Sequence, residues 1–157
     1  MQTDHLLKHL LLALLAALAL YGSLFYGIEH RRTRSGPWRI RFTVSTDGVP
    51  ALGIEQARLG ITNVEVAFPG ARASTASNPG PPVVFAEARP VPFDVPFGRC
   101  VFQDTTSLPG TVVLQLFGHE IQLLPRVLTI DGAEHPWLPQ EHISLAPTNR
   151  LREGSWP

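Results

Sequence analysis

The sequence is poor in the residues that build metal and redox sites. It has one cysteine, Cys100, which excludes an internal disulfide and a Cys-rich zinc site. The single methionine is Met1, which argues against an electron-transfer copper site with an axial methionine. Cys100 lies in the strand-like run GRCVFQD, which favours a buried apolar cysteine over a nucleophile.

Signatures of catalysis and of nucleotide binding are missing as well. The sequence contains no G-x-G-x-x-G, P-loop, G-x-S-x-G or H-E-x-x-H pattern. Thirteen basic residues balance thirteen acidic residues, and the few aromatic residues do not alternate with basic ones, so nucleic acid is not expected as a partner. We therefore predict no catalytic residues and no cofactor.

A long apolar run near the N-terminus predicts a membrane anchor over residues 1–30. Leu10 to Ile28 contains 19 residues without a charge. As a helix this run is about 28 Å long, close to the roughly 30 Å hydrocarbon core of a bilayer. Aromatic residues at its C-terminal end (Tyr21, Phe25 and Tyr26) predict an interface with the lipid headgroups. The lipid bilayer is thus the first predicted partner.

A cleaved signal peptide is the alternative interpretation of this run. Ala17-Leu18-Ala19 has the small-x-small form of a cleavage site. Cleavage there would leave the apolar sequence LYGSLFYGI as a new N-terminus, and Lys8 is the only basic side chain before the run. Both points favour an uncleaved, single-pass anchor.

A basic juxtamembrane linker is predicted over residues 31–37. Its arginines (Arg31, Arg32 and Arg34) are expected at the lipid headgroups, where each basic residue near anionic lipid contributes about 1 kcal/mol of attraction. A plain topology determinant is the alternative. The positive-inside rule would place the following domain in the cytoplasm, but long domains translocate largely regardless of charge. We expect an extracytoplasmic domain, with the cytoplasmic orientation as the alternative.

From residue 38 onward the hydrophobic period is two, which predicts a mainly β domain over residues 38–147. Trp38, Ile40, Phe42 and Val44 alternate with polar residues, and Asp47-Gly48 predicts the first hairpin turn. Eight or nine short strands joined by Gly, Pro and Asp turns predict an antiparallel β-sandwich, with a small β-barrel as the alternative. The run RPVPFDVPFG predicts an edge segment or an extended irregular run, because each of its prolines removes a backbone donor.

Two further segments are predicted to lack regular structure. Residues 71–82 (ARASTASNPGPP) are small, polar and rich in Pro and Gly, which is typical of a surface loop. Residues 148–157 form the predicted C-terminal tail.

Three histidines, each beside a glutamate, lie between residues 116 and 142. We predict a two-residue turn at Gly118-His119 and another at Asp131-Gly132, which separates His119 from His135 along a strand. His135 is expected to flank a turn. Continuing the register past Ala133 would place His142 opposite Ile121. His119, Glu120 and His142 are therefore the candidates for a small metal site, with solvated turn residues as the favoured interpretation.

The expected function follows from the anchor and from the missing catalytic patterns. We expect a non-catalytic accessory, assembly or scaffold subunit of a larger membrane complex, with integral membrane proteins as partners. A carrier of a lipid or another apolar ligand is the alternative, and it requires an open apolar groove between the sheets.

Overall fold

The computed structural model describes residues 3–33, 35–72 and 81–148. The chain divides into two compact units, Met1–Arg34 and Ser35–Pro157. Arg34, most of the predicted loop at 71–82, and residues 149–157 of the predicted tail lie outside the described residues.

The first unit is a single helix, α1 (Thr3–Thr33). Its segment Leu7–His30 is long and apolar enough to cross a membrane, and a signal sequence has the same property. Leucine and alanine dominate the segment, and both favour helix. The helix continues three residues past the predicted anchor, so the backbone of residues 31–33 in the basic segment is helical.

Five strands form the first sheet of the second unit, in the order β11-β3-β2-β1-β4. A tight turn joins the first two strands of this sheet into an antiparallel hairpin. In this turn the Gly48 N–H donates to the carbonyl of Ser45 at 2.9 Å, which confirms the predicted hairpin turn. The strands are β1 (Trp38–Val44), β2 (Pro50–Gln56), β3 (Ile61–Ala67), β4 (Val83–Phe85) and β11 (His142–Ser144). A 3₁₀ turn, Ala57–Leu59, connects β2 to β3.

Six strands form the second sheet, in the order β10-β9-β8-β7-β6-β5. Each strand pairs with its neighbour in the sequence, so the sheet is an antiparallel meander. The strands are β5 (Phe93–Val95), β6 (Gly98–Asp104), β7 (Thr111–Leu116), β8 (His119–Leu123), β9 (Val127–Ile130) and β10 (Ala133–Pro136). The proline-rich run contains β5, which is an edge strand and agrees with the first of the two predicted alternatives.

Side chains of both sheets form one hydrophobic core. Trp38 and Val64 of the first sheet and Leu114 and Ile121 of the second are fully buried in the same cluster. The Trp38 indole N–H donates to the carbonyl of Gly110 at 3.1 Å, a bond that joins β1 to the residue before β7. The mainly β class with two sheets is confirmed, and the shared core supports the predicted sandwich. The described strands form two sheets with separate edges, which disfavours the barrel alternative.

The predicted strand pattern needs two corrections. Eleven strands are present among the described residues rather than eight or nine, because short pairings such as β5 and β10 count as strands. The pairing is also not wholly antiparallel: β11 lies parallel to β3, with Ile143 opposite Val66. The prolines at positions 136 and 139 remove ladder donors, so the chain leaves the second sheet and crosses to the edge of the first.

All four edge strands of the two sheets are short. The first sheet ends in β4 and β11, each of three residues, and the second ends in β5 and β10, of three and four residues. Short edges limit the number of unpaired backbone groups that another chain could extend.

The segment that leads into β1 is fixed by one buried side chain. The Gln56 amide, which is 2% exposed, donates to the carbonyls of Ser35 and Gly36 at 2.7 and 2.9 Å. Its oxygen accepts from the N–H groups of Arg58 and Leu59. Every polar atom of this side chain is satisfied, so the chain entering the domain is held from Ser35 onward.

Candidate functional site

His119 is a buried histidine with two hydrogen-bond partners. Its Nδ1 lies 2.6 Å from a carboxylate oxygen of Asp131, and its Nε2 lies 2.8 Å from the carbonyl of Ala146. Each ring nitrogen thus lies within hydrogen-bond distance of a protein acceptor. Because the side chain is buried and both nitrogens face protein oxygens, neither faces a space in which a metal ion or a ligand could bind.

Three chain segments meet at this histidine. His119 begins β8, Asp131 lies in the turn between β9 and β10, and Ala146 follows β11 of the other sheet. The second carboxylate oxygen of Asp131 accepts from the Glu120 N–H at 2.9 Å. The arrangement is a structural junction that ties the C-terminal segment to the second sheet.

The predicted convergence of His119, Glu120 and His142 does not form. The Glu120 carboxylate accepts a bond from the Gln122 amide at 2.7 Å. His142 lies opposite Glu65 in the first sheet, with 3.8 Å between Nδ1 and a carboxylate oxygen. The register that placed His142 opposite Ile121 is therefore wrong. Within the described ranges, no group of three or more His, Cys, Asp or Glu residues is arranged to hold a metal ion.

The two predicted turns of this region differ in accuracy. Asp131-Gly132 is confirmed, with φ angles of 50° and 84° that suit a two-residue hairpin turn. The other turn is Phe117-Gly118 rather than Gly118-His119, because His119 already pairs with Leu116. His135 lies within β10, opposite Leu128, instead of flanking a turn.

Cys100 is fully buried on β6, as the sequence suggested. Burial raises the pKa of its thiol from an ordinary 9.0 to about 11, and a hydrogen bond with the Phe102 backbone opposes this effect in part. The neutral thiol therefore favours the folded state below about pH 9, and this contribution is lost as the pH rises from 9 towards 11.

The burial of Cys100 predicts that the folded chain does not react with thiol reagents near neutral pH. The thiolate is the nucleophile, and both exclusion of the reagent and the raised pKa suppress it. Mass spectrometry after treatment with iodoacetamide at pH 8 is expected to show unmodified folded protein and one adduct in denaturant. Rapid modification of the folded chain would contradict the buried position.

A cavity of about 300 Å³ lies on the outer face of the first sheet. Its centre is a row across three strands, in which Gly53 lies between Arg41 of β1 and Glu65 of β3. Arg41 Nη2 lies 3.3 Å from a carboxylate oxygen of Glu55, and both side chains are partly exposed. The cavity is lined by Arg41, Thr43, Gly53, Ile54, Glu55, Asn63, Val64 and Glu65.

Irregular backbone accompanies this cavity. A β-bulge places Glu55 opposite two residues of β3, Thr62 and Asn63. Asn63 has a φ of 55°, in the left-handed region that few residues other than glycine adopt. Bulges of this kind redirect side chains and are frequent beside functional sites. The sequence prediction missed the cavity, although alternation in the run WRIRF already placed Arg39 and Arg41 on the outer face.

The predicted membrane-interface residues lie on α1 or beyond its end. Exposed aromatic side chains form two ring contacts, Tyr21 with Phe25 at 6.3 Å and Tyr26 with His30 at 6.2 Å. The backbone of Arg31 and Arg32 is in the last turn of α1, and Arg34 lies outside the described residues.

No family model, no curated protein sequence and no solved structure matches this chain. The function of the chain is therefore inferred from its own residues.

Proposed function

We propose that the chain is a single-pass membrane protein whose β-sandwich domain serves as a non-catalytic accessory, assembly or scaffold subunit of a larger membrane complex. The observation that carries the proposal is the apolar helix segment Leu7–His30, whose described side chains are exposed almost throughout. An exposed apolar surface of this length is stable in hydrocarbon and unstable in water.

The basic residues after the apolar segment support a role close to the membrane surface. The arginines at 31, 32 and 34 add attraction to anionic headgroups. A domain that follows such a segment suits contact with neighbouring integral membrane proteins.

No observation on the described residues favours the alternative of an apolar carrier. Between the sheets, side chains such as Val66, Leu114 and Leu123 are fully buried in the shared core. The lining of the cavity on the outer face of the first sheet includes the charged side chains of Arg41, Glu55 and Glu65, which do not suit an apolar ligand.

Membrane anchoring and binding of a partner are tested by replacing leucine with arginine at two positions. Leu15→Arg introduces a charge in the middle of the span, at a cost of about 2.5–3.5 kcal/mol for insertion. Leu59→Arg makes the same change at an exposed position of the domain. We expect the unchanged chain and Leu59→Arg to stay in alkali-washed membranes and to purify in mild detergent with a stoichiometric partner. Leu15→Arg is expected to lose both properties.

Two results would contradict the proposal. If the measured mass of the mature protein matched a chain that begins at Leu20, the segment would be a cleaved signal peptide. Reproducible purification of the intact chain without any stoichiometric partner would refute the accessory role while leaving the anchor in place.

An extracytoplasmic position of the domain is part of the proposal, and labelling of an introduced cysteine tests it. Asp47 lies in the exposed turn between β1 and β2, whereas Cys100 is buried and provides a silent background. In intact cells, a membrane-impermeant maleimide is expected to label Asp47→Cys and not the unchanged chain. Labelling only after cell lysis would place the domain in the cytoplasm.

A further inference from the structure

We infer that the cavity on the outer face of the first sheet binds a small zwitterion, with an anionic group at Arg41 and a primary ammonium group at Glu65. The inference concerns a ligand of the domain and does not rest on the proposed accessory role. Gly53, which separates the two charged residues, forms the floor of the cavity.

The fold does not require glycine at position 53. A Cβ atom added there would lie 3.6 Å from Arg41 Cβ and 3.7 Å from the Arg41 carbonyl oxygen, which are ordinary contacts, and φ is not positive. Glycine inside a strand weakens the strand and often marks a place where a ligand approaches the backbone closely. The open space above Gly53 is thus a property of the surface rather than a demand of packing.

Opposite charges flank that space without neutralising each other. Arg41 contacts Glu55 through one nitrogen, and a guanidinium carries five N–H donors in all. Glu65 is half exposed, and one of its carboxylate oxygens lies 3.8 Å from His142 Nδ1. Both residues line the cavity and keep hydrogen-bonding capacity for a ligand.

The strand spacing limits the ligand to a small molecule. Arg41 and Glu65 occupy matching positions two strands apart, a separation of about 9.6 Å between backbones. A ligand that bridges their charged ends through two charge-assisted hydrogen bonds of about 2.8 Å therefore has its opposite charges only a few atoms apart. An aminoethyl phosphate has this form, either as a free molecule or as the headgroup of phosphatidylethanolamine.

The first arm of the test uses the full chain in non-ionic detergent micelles, titrated with O-phosphoethanolamine and followed by calorimetry. Arg41→Gln and Glu65→Gln are each expected to weaken binding about tenfold or more, because each removes a charged hydrogen-bond partner. Gly53→Val is expected to abolish binding by filling the cavity while remaining folded, since valine favours strands. Arg39→Gln, on the same strand and face but outside the cavity lining, is the matched control and is expected to change binding less than twofold.

Related ligands test the two contacts separately. Phosphocholine has no N–H donor for Glu65, and glycerol phosphate has no ammonium group, so both are expected to bind about tenfold or more weakly. Equal binding of phosphocholine and O-phosphoethanolamine would overturn the proposed contact with Glu65.

The second arm distinguishes the source of the ligand. The full chain is placed in nanodiscs of phosphatidylcholine with or without phosphatidylethanolamine, and the Gly53 amide signal is followed by NMR. A shift that depends on phosphatidylethanolamine and is lost in Glu65→Gln identifies a lipid headgroup, whereas binding in the first arm alone identifies a free zwitterion. Absence of saturable binding in both arms, or binding unchanged by all three cavity variants, overturns the inference.

Discussion

Replacing Trp38 with alanine is expected to destabilise the β domain by about 3–5 kcal/mol. The side chain is fully buried and donates to the carbonyl of Gly110, and its ring centroid lies 5.4 Å from that of Trp137. The substitution removes the largest fully buried side chain of the core and leaves a cavity with an unsatisfied carbonyl beside it. The loss approaches the 5–15 kcal/mol that typically separates folded from unfolded domains.

Chemical denaturation followed by circular dichroism measures this effect, and Trp38→Phe is the matched control. Phenylalanine fills much of the space but cannot donate to Gly110, so we expect a smaller loss of about 1–2 kcal/mol. If the alanine variant unfolded at the same denaturant concentration as the unchanged chain, the central position of Trp38 in the core would be refuted.

Replacing His119 with leucine is expected to lower the free energy of unfolding by about 2–3 kcal/mol. Loss of the ring leaves the Ala146 carbonyl unsatisfied and removes one of the two partners of the Asp131 carboxylate. The estimate is below the 3–5 kcal/mol typical of a broken buried ion pair, because the Asp131 side chain is 46% exposed and can be rehydrated.

Hydrogen exchange locates the effect of the His119 substitution. The N–H groups of Leu145 and Thr148 donate to Ala67 and Phe117, and we expect their protection to fall because the C-terminal segment loses its contact with His119. His135→Leu is the control: this half-buried residue lies on an edge strand, and its replacement is expected to change stability by less than about 0.5 kcal/mol. Unchanged protection in His119→Leu would show that the junction does not hold the C-terminal segment.

Local patterns in the sequence were sufficient to predict most of the strands. Alternation places Trp38, Ile40 and Phe42 in the core, and the Asp-Gly pairs at 47–48 and 131–132 form the predicted turns. Each of these features depends on neighbours within a few residues, where backbone preferences and side-chain period act directly.

The candidate site could not be predicted in the same way, because its contacts join distant parts of the chain. The partner of His142 is Glu65, 77 positions earlier, and their pairing depends on a parallel strand that no local pattern indicates. The partner of His119 is Asp131, and the local sequence at Asp131 predicts only a turn. The charged row around Gly53 depends on the register of two strand pairs, one of which contains a bulge.

The short edge strands have a consequence for the proposed anchorage of the domain in a membrane. Proteins confined to a bilayer meet one another at high lateral density and in a restricted set of orientations. Self-templating segments that stack into cross-β fibrils usually need six or seven residues of paired backbone. The edge strands of this domain are three or four residues long. They are therefore too short to support continued strand pairing between neighbouring copies.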